Sequence, residues 1–407
     1  MAYIVDMRSD TVTKPTASMK HAMVNSALGD DVFREDPTVN ALESKISNLL
    51  GKQAALFVPS GTMANLIALM VHCNKRGAEA IVGRMSHIFR YEQGNACHLA
   101  GIMVTTINNN LDGTFDLDEF ESLIRGSDVH EPVTSMVAVE NTHNACGGKV
   151  SVLHYSNVRF ENLLDCGVHR RTLFTVKNVL FKVIPLDWLK DLSIRAKKHN
   201  LPIHMDGARL FNAAEHMKCP VSDLVADVDS VSICFSKGLA CPAGSVIVGT
   251  YHFIEQARRY RKMLGGGMRQ TGVLAAAAIV ALDEVVPNLG LDHTRAHYLA
   301  KAISSLNLKN FSVDVKNVHS NIVMMKIDKS CSVTTEQVVG RLRQVCLSET
   351  QGDCKTSDGE GIILKVISFD DKTVRFTTHY EITDQDMWMA IMKTTYVLKE
   401  FEGSCKK

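Results

Sequence analysis

Apolar and polar positions alternate along the middle of the chain in two ways. Short apolar runs predict buried strands, and the longer segments between them, with apolar residues at helical spacing, predict helices. The predicted strands cover residues 54–58, 135–140, 201–205, 231–235 and 245–249. An apolar helix over 62–72 follows the first strand, and a basic helix over 186–199 precedes the third. Strands that alternate with helices are typical of a mostly parallel α/β sheet.

The pattern changes after Gly272. The run VLAAAAIVALDEVV (273–286) predicts a long apolar helix that connects two parts of the chain. From about Asn288 onward, short strands and helices alternate with polar loops. With 407 residues, the chain is long enough for one large and one small domain. We therefore predict an N-terminal arm (1–18), a large domain (19–287) and a smaller C-terminal domain (288–407).

Composition excludes several classes of protein. The 45 Lys and Arg residues nearly balance 44 Asp and Glu, so a nucleic-acid surface, which needs a basic excess, is not expected. The eleven cysteines are scattered and no pair has C-x-x-C spacing, which argues against a disulfide framework and against a metal site. The most apolar stretch, 272–282, has about half of the ~20 residues that a membrane span needs. We expect a cytoplasmic protein with no membrane partner; a mitochondrial location stays open.

Polar side chains follow the ends of the predicted strands, where open α/β sheets bind their ligands. Ser60, Gly61 and Thr62 follow the first strand and open a helix, whose N–H groups and hydroxyls can hold a phosphate. Asp206 follows the third strand, where a carboxylate could keep a ring nitrogen protonated. Lys237 follows the fourth, where a desolvated amine could attack a carbonyl. Taken singly, such residues are more often helix caps, turns or solvated loop lysines.

Taken together, the three features favour one cofactor. Pyridoxal 5′-phosphate needs an anchor for its phosphate, an acidic partner for its pyridinium nitrogen and a lysine for its aldehyde. Caps, turns and a loop lysine would have to fall at three strand ends by coincidence to give the same pattern. The sequence therefore predicts a pyridoxal phosphate site at the carboxyl edge of the sheet.

Eight motifs carry a resemblance to a known family. They are MRSDTVTKPT (7–16), GDDVFREDPTVNALE (29–43), FVPSGTMAN (57–65), VENTHNACGGKV (139–150), HMDGARLFNA (204–213), ICFSKGLACPAGS (233–245), RKMLGGGMRQTGVLAAA (261–277) and VRFTTHYEI (374–382). With them the chain resembles the L-threonine aldolases of low-specificity or L-allo-threonine type. The resemblance covers nearly the whole chain except 151–183, more loosely in the C-terminal part. It implies the aspartate aminotransferase-like fold (pyridoxal phosphate fold type I), with a mostly parallel seven-stranded sheet in the large domain and a smaller α+β C-terminal domain.

The resemblance also implies a role for each matching residue. The expected catalytic residues are Lys237 as the Schiff-base lysine, Asp206 against the ring nitrogen, His87 stacked on the ring and His143 near the substrate hydroxyl. The expected cofactor contacts further include Ser60, Gly61, Thr62, Arg209 and Ser236, with Arg269 completing the phosphate site from a neighbouring subunit. The α-carboxylate of the substrate is expected to bind Ser9, Arg209 and Arg375, with Glu92 in the same polar shell. For each histidine, a hydrogen-bonded core imidazole is the alternative.

The activity implied is the cleavage of L-threonine or L-allo-threonine into glycine and acetaldehyde, or another aldehyde, in a homotetramer with sites between paired subunits. Two alternatives stay open. One is another lyase of the same fold, acting by β-elimination or by serine-hydroxymethyl chemistry. The other is a homologue that binds the cofactor but is catalytically impaired.

The sequence departs from the family pattern at two places. Phe33-Arg34 stands where the family usually has Tyr-Gly, so any hydrogen bond from that tyrosine is lost. The segment 151–183 interrupts the family's text, with five Lys or Arg, two Asp or Glu, one glycine and no proline. It has few of the residues that form turns in an ordered loop, and structureless loops of this length are uncommon in compact domains. A lid, a passive surface excursion and a translated intron are the three interpretations; we expect the segment to be dispensable.

Overall fold

The computed structural model describes residues 2–146, 151–152, 181–182 and 184–404. The strands within these residues are β1 (Tyr3–Asp6), β2 (Ala54–Val58), β3 (Ala78–Gly83), β4 (Met103–Ile107), β5 (Val133–Glu140), β6 (Ser151–Val152), β7 (Phe181–Lys182), β8 (Ile203–Asp206), β9 (Ser230–Cys234), β10 (Ser245–Gly249), β11 (Phe311–Val313), β12 (Ile322–Ile327), β13 (Ile362–Lys365), β14 (Ile367–Asp370) and β15 (Thr373–Thr377). The helices are α1 (Ala17–Val24), α2 (Pro37–Leu50), α3 (Gly61–His72), α4 (His87–Arg90), α5 (Asn95–His98), α6 (Leu117–Leu123), α7 (Leu186–Lys198), α8 (Leu210–Met217), α9 (Tyr251–Met263), α10 (Gly272–Val280), α11 (Leu289–Ser305), α12 (Thr335–Leu342), α13 (Leu347–Gln351) and α14 (Asp384–Ser404).

A seven-stranded sheet forms the centre of the large domain, in the order β2-β10-β9-β8-β5-β3-β4. Only β10 runs against its neighbours, so the other six strands end at the same edge. All five strands that the apolar runs predict are present, with bounds that agree within two residues. The polar residues that follow the first four of these strands therefore converge at one edge, as predicted, whereas β10 ends at the opposite edge. The sequence pattern missed β3 and β4, because β3 carries the buried Glu79 and β4 is mostly half-buried.

The small domain is built around the antiparallel sheet β11-β12-β15-β14. Its core also contains residues from the other end of the chain, since β1 pairs in parallel with β13 and the side chains of Val5 and Met7 are fully buried there. The first strand of the predicted arm is thus part of the small domain. Residues 8–13 then lead the chain from the small domain into the large one.

The predicted connector is helical. The helix α10, a π-helical turn (Ala281–Val285), a short 3-10 turn (Val286–Asn288) and α11 follow one another without a break. By length and composition this run, Gly272–Ser305, could cross a membrane, but half of its most apolar window is buried inside the protein. A core helix gives the same signal.

The segment 151–183 is described only at its two ends. There Ser151 pairs with Lys182 and Val152 with Phe181 in an antiparallel ladder. The rest of the predicted excursion lies outside the described residues. The ladder brings the two ends of the segment together.

Candidate active site

The candidate site lies at the carboxyl edge of the central sheet, beside the N-terminus of α3. This helix begins at Gly61 because the Ser60 hydroxyl caps it, accepting a hydrogen bond from the backbone N–H of Met63 (3.2 Å). Only glycine fits at position 61, because a Cβ there would lie 2.5 Å from the Sγ of Cys234. The first turn of α3 therefore rests directly on the end of β9. A cavity of about 500 Å³ opens in front of it, lined by Ser60, Thr62 and Glu92 among others.

Asp206, the last residue of β8, is buried beside Lys237 and His87. One carboxylate oxygen accepts the backbone N–H of Ala208 (3.0 Å), and the other accepts the side-chain amide of Asn65 (2.9 Å). Burial favours a raised pKa, but the positive charges of Lys237 and His87 and the bond from Asn65 hold the pKa of Asp206 below its usual range. Asp206 is therefore an ionised carboxylate without an ion-pair partner at hydrogen-bond distance among the described residues.

His87 and Glu92 form a hydrogen-bonded pair next to Asp206. The Nδ1 of His87 lies 3.0 Å from Oε1 of Glu92, whose side chain is fully buried. Burial favours a lowered pKa for His87, but the bond to Glu92 and the charge of Asp206 raise it. One ligand-type atom from each of His87, Glu92 and Asp206 lies within 4.8 Å of the others. Because Nδ1 of His87 is bonded to Glu92, the other ring nitrogen, Nε2, is available to a ligand.

Two buried arginines stand side by side at the junction of the two domains. Arg209 makes a bidentate ion pair with Asp10, at 2.8 and 2.7 Å. Arg375, from β15 of the small domain, makes no ion pair with any described residue; it donates to the side chain of Asn144 (3.1 Å) and to the carbonyl of Arg8 (3.4 Å). Burial and the neighbouring Arg209 lower the pKa of Arg375 to about 10. Arg375 therefore offers a guanidinium that forms no ion pair among the described residues, whereas Arg209 is already paired with Asp10.

Glu140 holds the two segments that carry the candidate histidines. Its carboxylate accepts the backbone N–H of His87 (2.7 Å) and of Asn144 (2.8 Å), and lies 4.0 Å from Nδ1 of His143. His143 is buried, and its Nε2 has no hydrogen-bond partner among the described residues. Its Nδ1 accepts the backbone N–H of Cys146 (3.4 Å), so a neutral His143 carries its proton on Nε2.

The remaining predicted residues differ in burial. Ser9 is buried beside Asp10, with its hydroxyl 3.4 Å from that carboxylate. Ser236 and Lys237 are partly exposed, and the carbonyl of Lys237 accepts the hydroxyl of Thr13 (2.9 Å). Arg269 is half exposed and pairs with Asp30 (2.9 Å), so within one chain it points to the surface.

The sequence profile of the beta-eliminating lyase family matches residues 6–158 and 174–330. The chain belongs to this family. Low-specificity L-threonine aldolase 1 of Arabidopsis thaliana is 40% identical over 386 residues, which cover 94% of this chain and 93% of that protein. The low specificity L-threonine aldolase of Escherichia coli K12 is 38% identical over 324 residues, 80% of this chain and 85% of that protein. Among solved structures, Leishmania major threonine aldolase has a TM-score of 0.68 at 17% identity, covering 98% and 99% of the two chains.

These similarities confirm the predicted family and fold class of this lyase. The large domain with its mostly parallel seven-stranded sheet and the smaller C-terminal domain are those of fold type I. The interruption in the family match, 159–173, lies inside the predicted insertion 151–183. The nine cysteines that the structure describes are all free of disulfide bonds.

Sequence reasoning missed several residues that organise the lyase site. Asp10, Asn65, Glu140 and Asn144 lie inside motifs that were recognised as a whole, MRSDTVTKPT, FVPSGTMAN and VENTHNACGGKV, and none of the four was singled out. They form hydrogen bonds with other residues of the site, which the sequence does not show. Asn65 had a visible signal, since it is the one amide in the mostly apolar helix α3.

The residues present fit pyridoxal phosphate. A buried ionised carboxylate suits a protonated ring nitrogen, and Asp206 forms no ion pair within the described part of the chain. The close approach of Gly61 to Cys234 sets the start of α3 at the cavity, where backbone N–H groups can hold a phosphate. Lys237 is close enough to Asp206 for their charges to interact. The phosphate cradle, the acid and the amine therefore occur together.

Proposed function

We propose that this lyase is a pyridoxal-phosphate-dependent L-threonine aldolase. It cleaves the Cα–Cβ bond of L-threonine, L-allo-threonine and related β-hydroxy-α-amino acids, giving glycine and acetaldehyde or another aldehyde. The observation that carries the proposal is the grouping of Lys237, Asp206 and His87 beside the N-terminus of α3. The curated relatives, at about 40% identity, support the choice of reaction.

The cofactor would be held by groups at three strand ends. Ser60, Gly61 and Thr62 would take its phosphate, Asp206 its ring nitrogen and Lys237 its aldehyde. When bound, pyridoxal phosphate accepts the electron pair that the broken Cα–Cβ bond leaves on Cα. The buried, ionised carboxylate of Asp206 would hold a proton on the ring nitrogen, so that the ring can take up that electron pair.

The α-carboxylate of the amino acid would bind Arg375. Its guanidinium is the buried positive charge at the domain junction that lacks a carboxylate partner among the described residues, and its Nε makes no hydrogen bond there. A planar guanidinium binds a carboxylate with two parallel hydrogen bonds. We assign Arg209, which is paired with Asp10, to holding the segment that carries Ser9.

The two histidines are prepared for different roles in proton transfer. With Nδ1 bonded to Glu92, neutral His87 presents a lone pair on Nε2, which can take the proton of the β-hydroxyl. With Nδ1 accepting a backbone N–H, His143 presents Nε2–H, which can hold the oxygen that becomes the aldehyde. Against the effect of burial, the hydrogen bond to Glu92 and the charge of Asp206 raise the pKa of His87, which makes it a stronger base than a free imidazole.

We also propose a homotetramer in the cytoplasm that forms glycine from threonine. What supports the assembly is the exposed side chain of Arg269 on the loop whose Gly266 packs against Met63 in the first turn of α3. From such a loop, Arg269 of one subunit could reach the phosphate site of the next.

Incubation of the purified protein and pyridoxal phosphate with L-allo-threonine tests the function. We expect glycine and acetaldehyde in equal amounts, and a visible absorbance band that changes on addition of glycine. The Lys237→Ala variant is the matched control and should give neither product. Pyruvate from serine or cysteine, without acetaldehyde from L-allo-threonine, would show a β-eliminating lyase and refute the aldolase assignment.

A further inference from the structure

Asn65 connects the two acidic groups of the site. It lies on α3, one turn after the helix begins at Gly61, and it is buried. Its amide nitrogen donates to Oδ2 of Asp206 (2.9 Å) and to Oε1 of Glu92 (2.8 Å). The same Glu92 oxygen binds His87. One amide group therefore bridges the partner of the ring nitrogen and the partner of the candidate base.

Two hydrogen bonds to the amide oxygen of Asn65 fix the orientation of its side chain. Its oxygen accepts the hydroxyl of Ser232 (2.7 Å) and the Nε2–H of His204 (3.1 Å). An asparagine side chain has two N–H donors and an oxygen with two lone pairs, so all four positions are in use. A rotated amide would place its oxygen against two carboxylates, which nothing could compensate. The amide has one favourable orientation.

A chain of neutral groups extends the network away from the site. Nδ1 of His204 lies 2.9 Å from the hydroxyl of Ser230, and that hydroxyl lies 2.8 Å from Nε2 of His72. Because Nε2 of His204 donates to Asn65, its Nδ1 must accept from Ser230, which in turn accepts from His72. Burial lowers the pKa of His204 to about 3 and that of His72 to about 4, so both are neutral near pH 7. These hydrogen-bonded neutral groups therefore orient Asn65 without adding a charge near the two acids.

Two carboxylates this close would otherwise share a proton. Burial, with the charge of Asp206, raises the pKa of Glu92, while Lys237 and His87 overcome the effect of burial and lower that of Asp206. Donors on both acids reduce their mutual repulsion and fix the distance between them. Among the described residues, the side chains of His87, Lys237, Asn65 and Asn95 face this pair, and the ring nitrogen of a bound cofactor would lie beside Asp206.

We propose that Asn65 is a positioning residue that keeps Asp206 and Glu92 ionised and separate, so that Asp206 serves the cofactor ring and Glu92 serves His87. The inference rests on the proposed cofactor and not on the aldolase reaction. It assigns the buried His72–Ser230–His204 chain to holding Asn65 in its bridging orientation.

The test compares two variants of the full-length protein with a matched control. Asn65→Leu removes both donors at similar volume, and Asn65→Asp keeps the shape but places a third carboxylate in the cluster. Ser232→Ala is the control, because it removes one of the two partners of the Asn65 oxygen, leaves His204 to orient the amide, and keeps both donors of Asn65 on the acids. For each, the affinity of the apo-protein for pyridoxal phosphate, the pH titration of the visible absorbance of the bound form, kcat and KM are measured.

We expect both Asn65 variants to bind pyridoxal phosphate roughly ten- to hundred-fold more weakly than wild type, as for the loss of a hydrogen bond to a charged group. In Asn65→Asp the midpoint of the absorbance titration should move upward by about one pH unit or more, since the added carboxylate holds protons in the cluster. The fall in kcat should exceed the change in KM. Ser232→Ala should stay within about threefold of wild type in binding, with an unchanged midpoint.

A merely space-filling Asn65 gives a different result. If Asn65→Leu or Asn65→Asp folds and matches Ser232→Ala in cofactor affinity and in titration midpoint, the proposal is wrong. Binding and absorbance require no amino-acid substrate. A wild-type protein that binds the cofactor but does not cleave L-allo-threonine would therefore refute the aldolase assignment alone.

Discussion

Replacing Arg375 by lysine tests the assignment of the carboxylate anchor. The substitution keeps the positive charge but exchanges a planar fork for a single ammonium group. In the structure Arg375 is 8% exposed and donates to Asn144 and to the carbonyl of Arg8, with no ion pair among the described residues. The fork is therefore available for a substrate carboxylate, and lysine could supply only one of its two hydrogen bonds.

The expected cost follows from that lost bond. A hydrogen bond between charged groups contributes about 1.5–3 kcal/mol, which corresponds to a rise in KM of about 10- to 150-fold. The carboxylate does not change its charge during Cα–Cβ cleavage, so substrate and transition state lose the same interaction. For that reason kcat should change much less than KM. The absorbance of bound pyridoxal phosphate should stay as in wild type.

Arg209→Lys is the matched control, because Arg209 is the neighbouring arginine with its own carboxylate. This variant breaks the bidentate pair with Asp10, and disrupting a buried ion pair costs up to about 3–5 kcal/mol. Its melting temperature should fall well below that of Arg375→Lys, which loses no ion pair. Steady-state kinetics on L-allo-threonine and thermal melts of both apo-proteins make the comparison. An Arg375→Lys enzyme with unchanged KM, or one that loses its cofactor, would refute the anchor.

Three further outcomes are expected. Lys237→Ala should abolish turnover while the folded protein still binds pyridoxal phosphate weakly; borohydride reduction and peptide mapping of wild type should place the adduct on Lys237 and on no other lysine. Deletion of 151–183 should leave the oligomer size unchanged and the aldolase activity equal or higher, since the described ends of the segment already pair with each other. A well-folded but inactive deletion variant would contradict this. Burial lowers the pKa of His72 to about 4 and of His204 to about 3, so below pH 6.5 the unfolded chain binds protons that the folded one does not. Each of the two histidines should therefore lower the free energy of unfolding by about 1.4 kcal/mol per pH unit between pH 6 and 4. We expect the melting temperature to fall over this range, and to fall less in His72→Gln. A melting temperature that does not change with pH would disprove this.

The strands and their chemistry could be predicted because buried parallel strands are short, apolar and followed by polar residues. Position alone placed Asp206 and Lys237 at one edge of a sheet, and the structure brings them together. The roles of His87 and Arg375 came from the resemblance to a family. Nothing in the apolar pattern distinguishes these two from other buried polar residues.

What could not be predicted depends on contacts between distant parts of the chain. The sequence suggests a carboxylate-binding role for both Arg209 and Arg375, and only the structure shows that Asp10 forms an ion pair with Arg209 and not with Arg375. In the same way, the sequence shows Asn65 only as an amide within a mostly apolar helix. The structure shows that this amide donates to both Asp206 and Glu92. Such differences arise from tertiary geometry, which no local spacing encodes.

The pairing of β1 with β13 has a consequence for how the protein is made. Tyr3 lies opposite Ile362, 359 positions later, so β1 is synthesised long before the strand with which it pairs. At about 5–20 residues per second, that interval lasts roughly 20–70 s on the ribosome. Until then Val5 and Met7 have no small-domain core to enter, and Ser9 and Asp10 are not anchored from that side. The half of the site that we propose to hold the substrate carboxylate can therefore be completed only once β13 has been synthesised and has paired with β1.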